Sequence, residues 1–167
     1  MRLIPSVDIE LLTSFSKEEV ESILMNNIGS KRGIELRFSK TKIEKPFEGY
    51  FANGQFEIQR AINYKNSFLP QIKGTVSESM SGTIVRAKFQ LHGFVIAFMV
   101  VWLGGVSLAL LGSIYAIISH EANPAVAIIP LIMLAFGIAL VYFGFNSEKE
   151  KSINELKRIL KAHIKKF

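Results

Sequence analysis

Two long apolar runs in the second half of the chain dominate its hydrophobic pattern. Residues 93–119 and residues 122–147 contain no Asp, Glu, Lys, Arg or His, and only His120 and Glu121 separate them. Each run exceeds the roughly 20 apolar residues that a helix needs to cross about 30 Å of hydrocarbon. We therefore expect a transmembrane helical hairpin over residues 93–145, with helices at 93–118 and 124–145.

The alternative interpretation of these runs is a pair of buried helices in a soluble protein. Both runs are apolar on all sides, which is typical of a helix whose surroundings are entirely apolar. The residues that precede the first run, 1–92, are too few to cover two such helices with a second layer of structure. The membrane interpretation is therefore preferred.

The residues before the hairpin predict one small α+β domain over residues 1–92. Alternation of apolar and polar side chains over residues 7–13 predicts a half-buried strand. Ser16 and Glu19 then form the capping box of a helix, in which each side chain bonds a backbone N–H of the other residue. Gly29 is expected to end that helix.

Period-two alternation returns after this helix and continues almost to the first apolar run. It predicts a strand at 34–38, a hairpin that reverses at Asn53-Gly54, and a return strand over 56–64. Two further strands are joined by a turn at 79–82. About five consecutive strands with one helix on a face make an antiparallel β-meander with a packed helix. Helix-grip and pleckstrin-like topologies both fit this order of elements.

The apolar runs also predict how the hairpin is built. Asn123 and Pro124 suit the cap and the first position of the second helix, whereas Pro130 inside it predicts a bend. Small residues at four-residue spacing line one side of the first helix: Gly105, Ala109 and Ser113. Such a side packs closely either on small residues of the second helix, which is the preferred interpretation, or on a second copy of the chain as a homodimer.

Residues 146–167 predict an amphipathic helix after the hairpin. Its apolar stripe consists of Ile153, Leu156, Leu160, Ile164 and Phe167. The stripe can pack on the sheet, or the helix can lie on the anionic inner leaflet, where each basic residue adds on the order of 1 kcal/mol. Packing on the sheet is preferred, because a meander with one short helix needs further cover.

The distribution of charged residues predicts the orientation of the chain in the membrane. The net charge is +6, with 13 basic and 10 acidic residues in 1–92, seven basic and three acidic in 147–167, and no Lys or Arg in the loop at 119–123. Because basic residues stay on the cytoplasmic side, we expect a multi-pass protein of the cell inner (cytoplasmic) membrane with both termini in the cytoplasm. The membrane explains the basic tail without nucleic acid, and the N-terminal residues lack the apolar run of a signal peptide.

The sequence offers few groups for catalysis. It has no cysteine, and its three histidines, His92, His120 and His163, are too scattered for a metal-ligand spacing. A glycine-rich phosphate loop is also missing. We therefore expect no metal, no cofactor and no enzymatic activity.

Arg60 is the one polar residue out of place in the strand pattern. Alternation puts it on the same side as the apolar residues Phe56 and Ile58. A cation on an apolar face needs a partner, which Glu44 or Glu48 could supply, unless an edge position or a bulge turns the side chain outward. If Arg60 points inward, it is the candidate residue for binding an anionic ligand.

A series of short motifs leads into the hairpin: Phe47-x-Gly49, Phe56-x-Ile58-x-Arg60, Tyr64-x-Asn66-Ser67-Phe68-x-Pro70, Ile72-x-Gly74 and Gly82-Thr83-Ile84. This series, within residues 47–104, resembles a group of small, uncharacterised bacterial membrane proteins with two spans and a cytoplasmic β-rich domain. The resemblance implies a bacterial inner-membrane location and brings no catalytic residue with it.

These patterns together predict a membrane protein whose cytoplasmic domain binds a ligand. The ligand would be a partner protein, a lipid headgroup, or an apolar small molecule in a cavity bounded by Phe38, Phe51, Phe56 and the C-terminal stripe. The alternative is a membrane-bound enzyme with a site between the sheet and the C-terminal helix. A pore or a transporter subunit is disfavoured, because the spans contain no ionisable residue.

Overall fold

The computed structural model describes residues 5–31 and 43–165, which form seven strands and three helices. This arrangement is a mixed α+β fold, as the sequence predicts. The strand predicted at 34–38 lies outside the described residues, and so do Phe38 and Phe167.

The seven strands form a single sheet. Their bounds are β1 (Ser6–Thr13), β2 (Ile28–Gly29), β3 (Phe47–Ala52), β4 (Gln55–Arg60), β5 (Gln71–Ser79), β6 (Gly82–Gln90) and β7 (His163–Ile164). The spatial order is β2-β3-β4-β5-β6-β1-β7, with every pair antiparallel except β2 and β3. The predicted meander is thus present in β3 to β6, whereas β1 pairs with β6 and β7 pairs with β1.

The β3–β4 hairpin reverses where the sequence predicts. Asn53 and Gly54 both have positive φ, at 52° and 71°. A two-residue turn of this kind matches the twist of the flanking strands, and it sets Phe51 opposite Phe56 in the register.

The strand predicted over 56–64 is shorter in the structure. β4 ends at Arg60, and residues 61–70 form a loop. The Asn66 side chain accepts a hydrogen bond from the Phe68 N–H at 2.9 Å, an Asx turn that gives the backbone a local partner in place of the strand ladder.

Helix α1 (Lys17–Asn27) begins at the predicted capping box. The Ser16 hydroxyl accepts from the Glu19 N–H at 3.2 Å, and the Glu19 carboxylate accepts from the Ser16 N–H at 2.8 Å. The helix ends at Asn27 with Ile28 as its C-cap, so Gly29 directly follows the cap, and the two residues Ile28 and Gly29 are extended and form β2.

Two long apolar helices follow the sheet. They are α2 (Gly93–Ile118) and α3 (Ile128–Leu160), joined through a 3₁₀ turn at Pro124–Ala127. Both helices are long and apolar enough to cross a membrane, with mean hydropathies of 2.5 and 2.6 in their most apolar parts. Only 11% of each of those parts is buried inside the protein, unlike the core helix of a soluble domain.

α3 is one continuous helix of 33 residues, about 50 Å long. The predicted division into a helix ending at 145 and a separate helix over 146–167 is therefore wrong. The polar residues that follow Phe145 continue the helical period and keep the apolar stripe on one face of the same helix. The helix ends before Lys161, whose φ of 46° is left-handed, and the chain then enters β7.

The premise of the predicted bend at Pro130, a hydrogen bond lost inside the helix, does not hold. Pro130 is the third residue of α3, in the first turn, where a backbone N–H has no helical partner in any case. The cap predicted at Asn123 is present, since its side-chain oxygen accepts from the Ala125 N–H at 2.9 Å, and Pro124 begins the 3₁₀ turn.

A single hydrophobic core joins one face of the sheet to α1 and to the C-terminal half of α3. Its fully buried members include Val20 and Leu24 on α1 and Leu156 and Leu160 on α3. Full burial of such a side chain contributes about 1.5–3 kcal/mol, so this packing holds the end of α3 firmly on the sheet.

α2 and α3 pack against each other at Gly137 of α3. A methyl group at Gly137 would lie 3.1 Å from the Leu103 side chain of α2. The glycines of α2 take no part in this contact, because no described atom of α3 lies within 4 Å of where a Cβ would sit at Gly104, Gly105 or Gly112. The preferred prediction, that the small residues of α2 pack on α3, is therefore wrong for Gly105 and Gly112.

Candidate functional site

The face of the sheet opposite the core carries a groove of about 730 Å³, here called the outer groove. The strand register places the side chains that line it in two rows across β3, β4, β5, β6 and β1. The first row is Tyr50, Glu57, Lys73, Lys88 and Asp8, and the second row is Gln55, Thr75, Arg86 and Glu10.

Most charged groups in the outer groove are paired. The Lys73 Nζ lies 3.2 Å from the Glu57 carboxylate, and the Arg86 Nε donates to the Glu10 carboxylate at 2.7 Å. The Tyr50 hydroxyl also donates to Glu57, at 3.2 Å. Burial acts to raise the pKa of Glu57, but the bonds from Lys73 and Tyr50 outweigh it and hold the pKa below its usual value. This carboxylate is therefore charged at neutral pH.

Lys88 and Asp8 in the first row have no ion-pair partner within residues 5–31 and 43–165. They lie opposite each other in the register, and both are exposed. In the part of the chain that the structure describes, neither forms a salt bridge within 4.0 Å. Lys88 also lies directly opposite Lys73, an arrangement of like charges that is destabilising. The groove thus presents one unpaired cation and one unpaired anion to a ligand.

Arg60 lies on the core side of the sheet, outside the outer groove. It is opposite the fully buried Phe47 in the register, as alternation predicts. Its Nη2 donates to the Glu148 Oε2 at 2.8 Å and its Nε donates to the same oxygen at 3.2 Å. Glu148 is thus a partner that is neither of the two candidates named from the sequence, Glu44 and Glu48.

Glu148 is the centre of four side chains between β4, the 61–70 loop and α3, here called the junction cluster: Arg60, Tyr64, Glu148 and Lys151. Glu148 is only 2% exposed, and its Oε1 accepts from the Tyr64 hydroxyl and, at 2.9 Å, from the Lys151 Nζ. Burial acts to raise the pKa of Glu148. The hydrogen bonds from Tyr64, Lys151 and Arg60 outweigh that effect and lower the pKa, so the carboxylate is charged at neutral pH.

Side chains fill the described part of the predicted apolar cavity at Phe56 and along the C-terminal stripe. The Phe56 ring lies in the space that a Cβ at Gly74 would need, and Leu156 and Leu160 are fully buried in the same core. The described part of this interior therefore supports tight packing rather than an apolar ligand site.

The three histidines lie on separate elements. His92 caps α2 by accepting from the Phe94 N–H at 3.3 Å, His120 lies in the turn after α2, and His163 lies in β7. Within residues 5–31 and 43–165, no group of three or more His, Cys, Asp or Glu side chains could hold a metal ion.

The sequence pattern missed both the outer groove and Glu148. The groove rows exist only once five strands are paired, and each strand by itself shows ordinary solvent-facing positions. Glu148 did carry a signal, since it is the first ionisable residue after an apolar run long enough to span a membrane.

Comparisons of the chain with protein-family models, with curated proteins and with solved structures found no match. The resemblance of residues 47–104 to small bacterial two-span membrane proteins stays a prediction.

Proposed function

We propose that this chain is a two-span protein of the cytoplasmic membrane, with both termini in the cytoplasm. The outward faces of α2 and α3 support this proposal, because large apolar side chains such as Phe94, Leu108 and Ile129 are uncovered there. Basic residues lie on the sheet side of the hairpin, as Lys88 does before α2, whereas the loop at 119–123 has neither Lys nor Arg. This asymmetry favours a cytoplasmic sheet.

The cytoplasmic domain acts by binding, and its outer groove takes a charged polypeptide segment of a partner protein. The unpaired Lys88 and Asp8 carry this proposal. A segment with one acidic and one basic side chain gains two ion pairs there, and the Glu57–Lys73 pair beside them stays intact. The groove crosses five strands, and a strand spacing of about 4.8 Å makes it about 19 Å long. A peptide of roughly six extended residues has the same length.

A lipid headgroup or an apolar small molecule fits the outer groove less well. Lys88 precedes the start of α2 at Gly93 by five residues, so the groove lies beyond the bilayer surface, and both of its rows include charged side chains. The alternative from another class is a membrane-bound enzyme with a site between the sheet and α3. The polar groups that converge between the sheet and α3 are those of the junction cluster, where Arg60, Tyr64 and Lys151 all donate to Glu148, whereas the interior at Leu156 and Leu160 is apolar.

A site-specific photocrosslink tests the outer groove. The photoreactive residue p-benzoylphenylalanine would replace Thr75, which lines the groove, or Ser22, which is exposed on α1. In intact membranes the Thr75 variant is expected to give an adduct of defined mass that the Ser22 variant does not give. Adding Lys88→Glu should remove that adduct. The same products from both positions, or an adduct that survives Lys88→Glu, would contradict the proposal.

Within the membrane, the proposed partner of α2 is a second copy of the chain. Gly105, Ala109 and Ser113 follow one another at four-residue spacing, and no described atom of α3 covers Gly105. The Ser113 hydroxyl donates to the Ala109 carbonyl at 2.9 Å, so its hydrogen bond is already made within α2. The contact would therefore be one of close backbone packing, which small residues permit.

A further inference from the structure

The junction cluster has donors that its own carboxylate does not use. Arg60 directs Nε and Nη2 at Glu148 and Tyr64, so the two N–H groups of Nη1 have no acceptor among the described residues. Lys151 donates to Glu148 through its ammonium group, which has three N–H bonds, and its side chain is 53% exposed. Donors from both cations thus remain available to a ligand.

The charges of the junction cluster do not cancel. Arg60 and Lys151 are cations, and Glu148 is the anion between them, which leaves a surplus of one positive charge. Glu155 also acts on Arg60, but its charge is balanced by its ion pair with Arg158. Glu148 accepts hydrogen bonds from Arg60, Tyr64 and Lys151, and these bonds hold the two cations in position. A guanidinium and an ammonium held side by side suit a phosphate, which accepts several charge-assisted hydrogen bonds.

The junction cluster lies at the depth of the lipid headgroup layer, measured along α3 from the end of the predicted span. Glu148 and Lys151 follow Phe145, the end of the predicted span, by three and six residues, which is a rise of about 4.5 and 9 Å. The headgroup layer on each side of a bilayer is roughly 5–8 Å thick. The loop that supplies Tyr64 reaches further in, because Phe68 packs so closely on Gly144 that a Cβ there would lie 2.9 Å from its ring.

We propose that Arg60 and Lys151 bind the phosphodiester of a singly anionic lipid headgroup in the inner leaflet, with Glu148 and Tyr64 as positioning residues. The surplus of one positive charge matches the single negative charge of that group. This site deepens the proposed function and rests on its membrane topology, but it is separate from the outer groove.

Lipid binding to the full-length protein in detergent tests the site, with phosphatidylglycerol as the probe and phosphatidylcholine as its competitor. Native mass spectrometry would measure how much of each lipid is retained. The protein is expected to prefer phosphatidylglycerol, and Lys151→Gln should weaken that binding roughly tenfold, as the loss of one charge-assisted hydrogen bond implies. Lys157→Gln makes the same change of charge further along α3 and should leave the binding unchanged.

Equal weakening by Lys151→Gln and Lys157→Gln would overturn the proposal, because the attraction would then be general to the basic helix. Displacement of the lipid by soluble glycerophosphoglycerol at comparable concentration would overturn the assignment to a lipid. Arg60→Lys keeps the charge but loses the free Nη1 donors, so unchanged binding by this variant would also count against the site. Stable incorporation of the protein into phosphatidylcholine nanodiscs is a separate result, which supports the membrane topology whatever the lipid preference.

Discussion

The guanidinium of Arg60 on β4 is bound to the carboxylate of Glu148 on α3, 2.8 Å apart in space and 88 positions apart in sequence. This ion pair lies where the sheet meets the helix that emerges from the proposed membrane segment. Because Glu148 is almost fully buried, removal of either partner would leave the other charge poorly solvated. The pair therefore specifies how the two parts of the fold are joined.

Removal of the carboxylate at the junction is expected to destabilise the protein strongly. Glu148→Ala leaves Arg60, whose side chain is only 22% exposed, without its anion, and should cost roughly 3–5 kcal/mol in the free energy of unfolding. Glu150→Ala is the matched control, since that side chain is 64% exposed and should cost less than about 1 kcal/mol. Denaturant unfolding in detergent measures both changes in the free energy of unfolding. Similar losses would show that the buried ion pair contributes no more to stability than an exposed one.

Acid is expected to weaken the same junction. The pKa of Glu148 is lowered in the folded protein, whereas in the unfolded chain it is about 4.3. The contribution of this group to stability is therefore complete above about pH 4.3 and is lost as the pH falls toward the folded pKa. The stability difference between the wild type and Glu148→Gln should shrink over that range in denaturant titrations, and a difference that stays constant with pH would contradict the assignment.

A methyl group at Gly144 is expected to displace the 61–70 loop. In Gly144→Ala the new Cβ would lie 2.9–3.1 Å from three atoms of Phe68, and overpacking of this kind costs about 1–3 kcal/mol. Gly104→Ala is the control, because open space surrounds that position and alanine favours a helix by about 1 kcal/mol. Faster proteolysis of the loop in Gly144→Ala alone is the expected result, and equal rates in the two variants would argue against the contact.

Single cysteines test the proposed homodimer, because the chain has none of its own. Ala109→Cys lies on the small-residue side of α2 and is expected to give a disulfide-linked dimer when membranes are oxidised. Leu111→Cys is displaced by about 200° around the helix and should stay monomeric. Equal crosslinking at both positions, or none at Ala109→Cys, would remove the support for this interface.

Cysteine labelling also tests the topology. In right-side-out membrane vesicles, a maleimide that cannot cross the bilayer should label Glu121→Cys in the exposed turn after α2. It should label Glu150→Cys, which is exposed on the part of α3 that we propose to be cytoplasmic, only after the vesicles are opened. The reverse pattern would invert the proposed orientation, and labelling of both positions in sealed vesicles would contradict the hairpin.

The parts of the fold that depend on local sequence could be predicted. The capping box at Ser16 and Glu19 and the turn at Asn53-Gly54 each satisfy the backbone within a few residues, so their residue types are sufficient. The long apolar helices were equally evident, because a run of more than 20 apolar residues needs no information from the rest of the chain.

The parts that depend on distant partners could not be predicted. β2 and β7 have two residues each and exist as strands only through pairing with β3 and β1. The boundary at Phe145 suggested a helix end, since polar residues follow it, but burial of Leu156 and Leu160 in the core favours one continuous helix. The partner of Arg60 and the paired rows of the outer groove likewise arise only from the tertiary fold.

The unbroken course of α3 has a mechanical consequence. One end of this helix of about 50 Å lies in the proposed bilayer, and the other end is packed in the core of the sheet. An apolar helix that is longer than the local hydrocarbon thickness accommodates by tilting. Because no hinge separates the two ends, a thinner bilayer would rotate the whole sheet by the same angle. Membrane thickness would thereby set the direction in which the domain presents its outer groove, the proposed ligand-binding face.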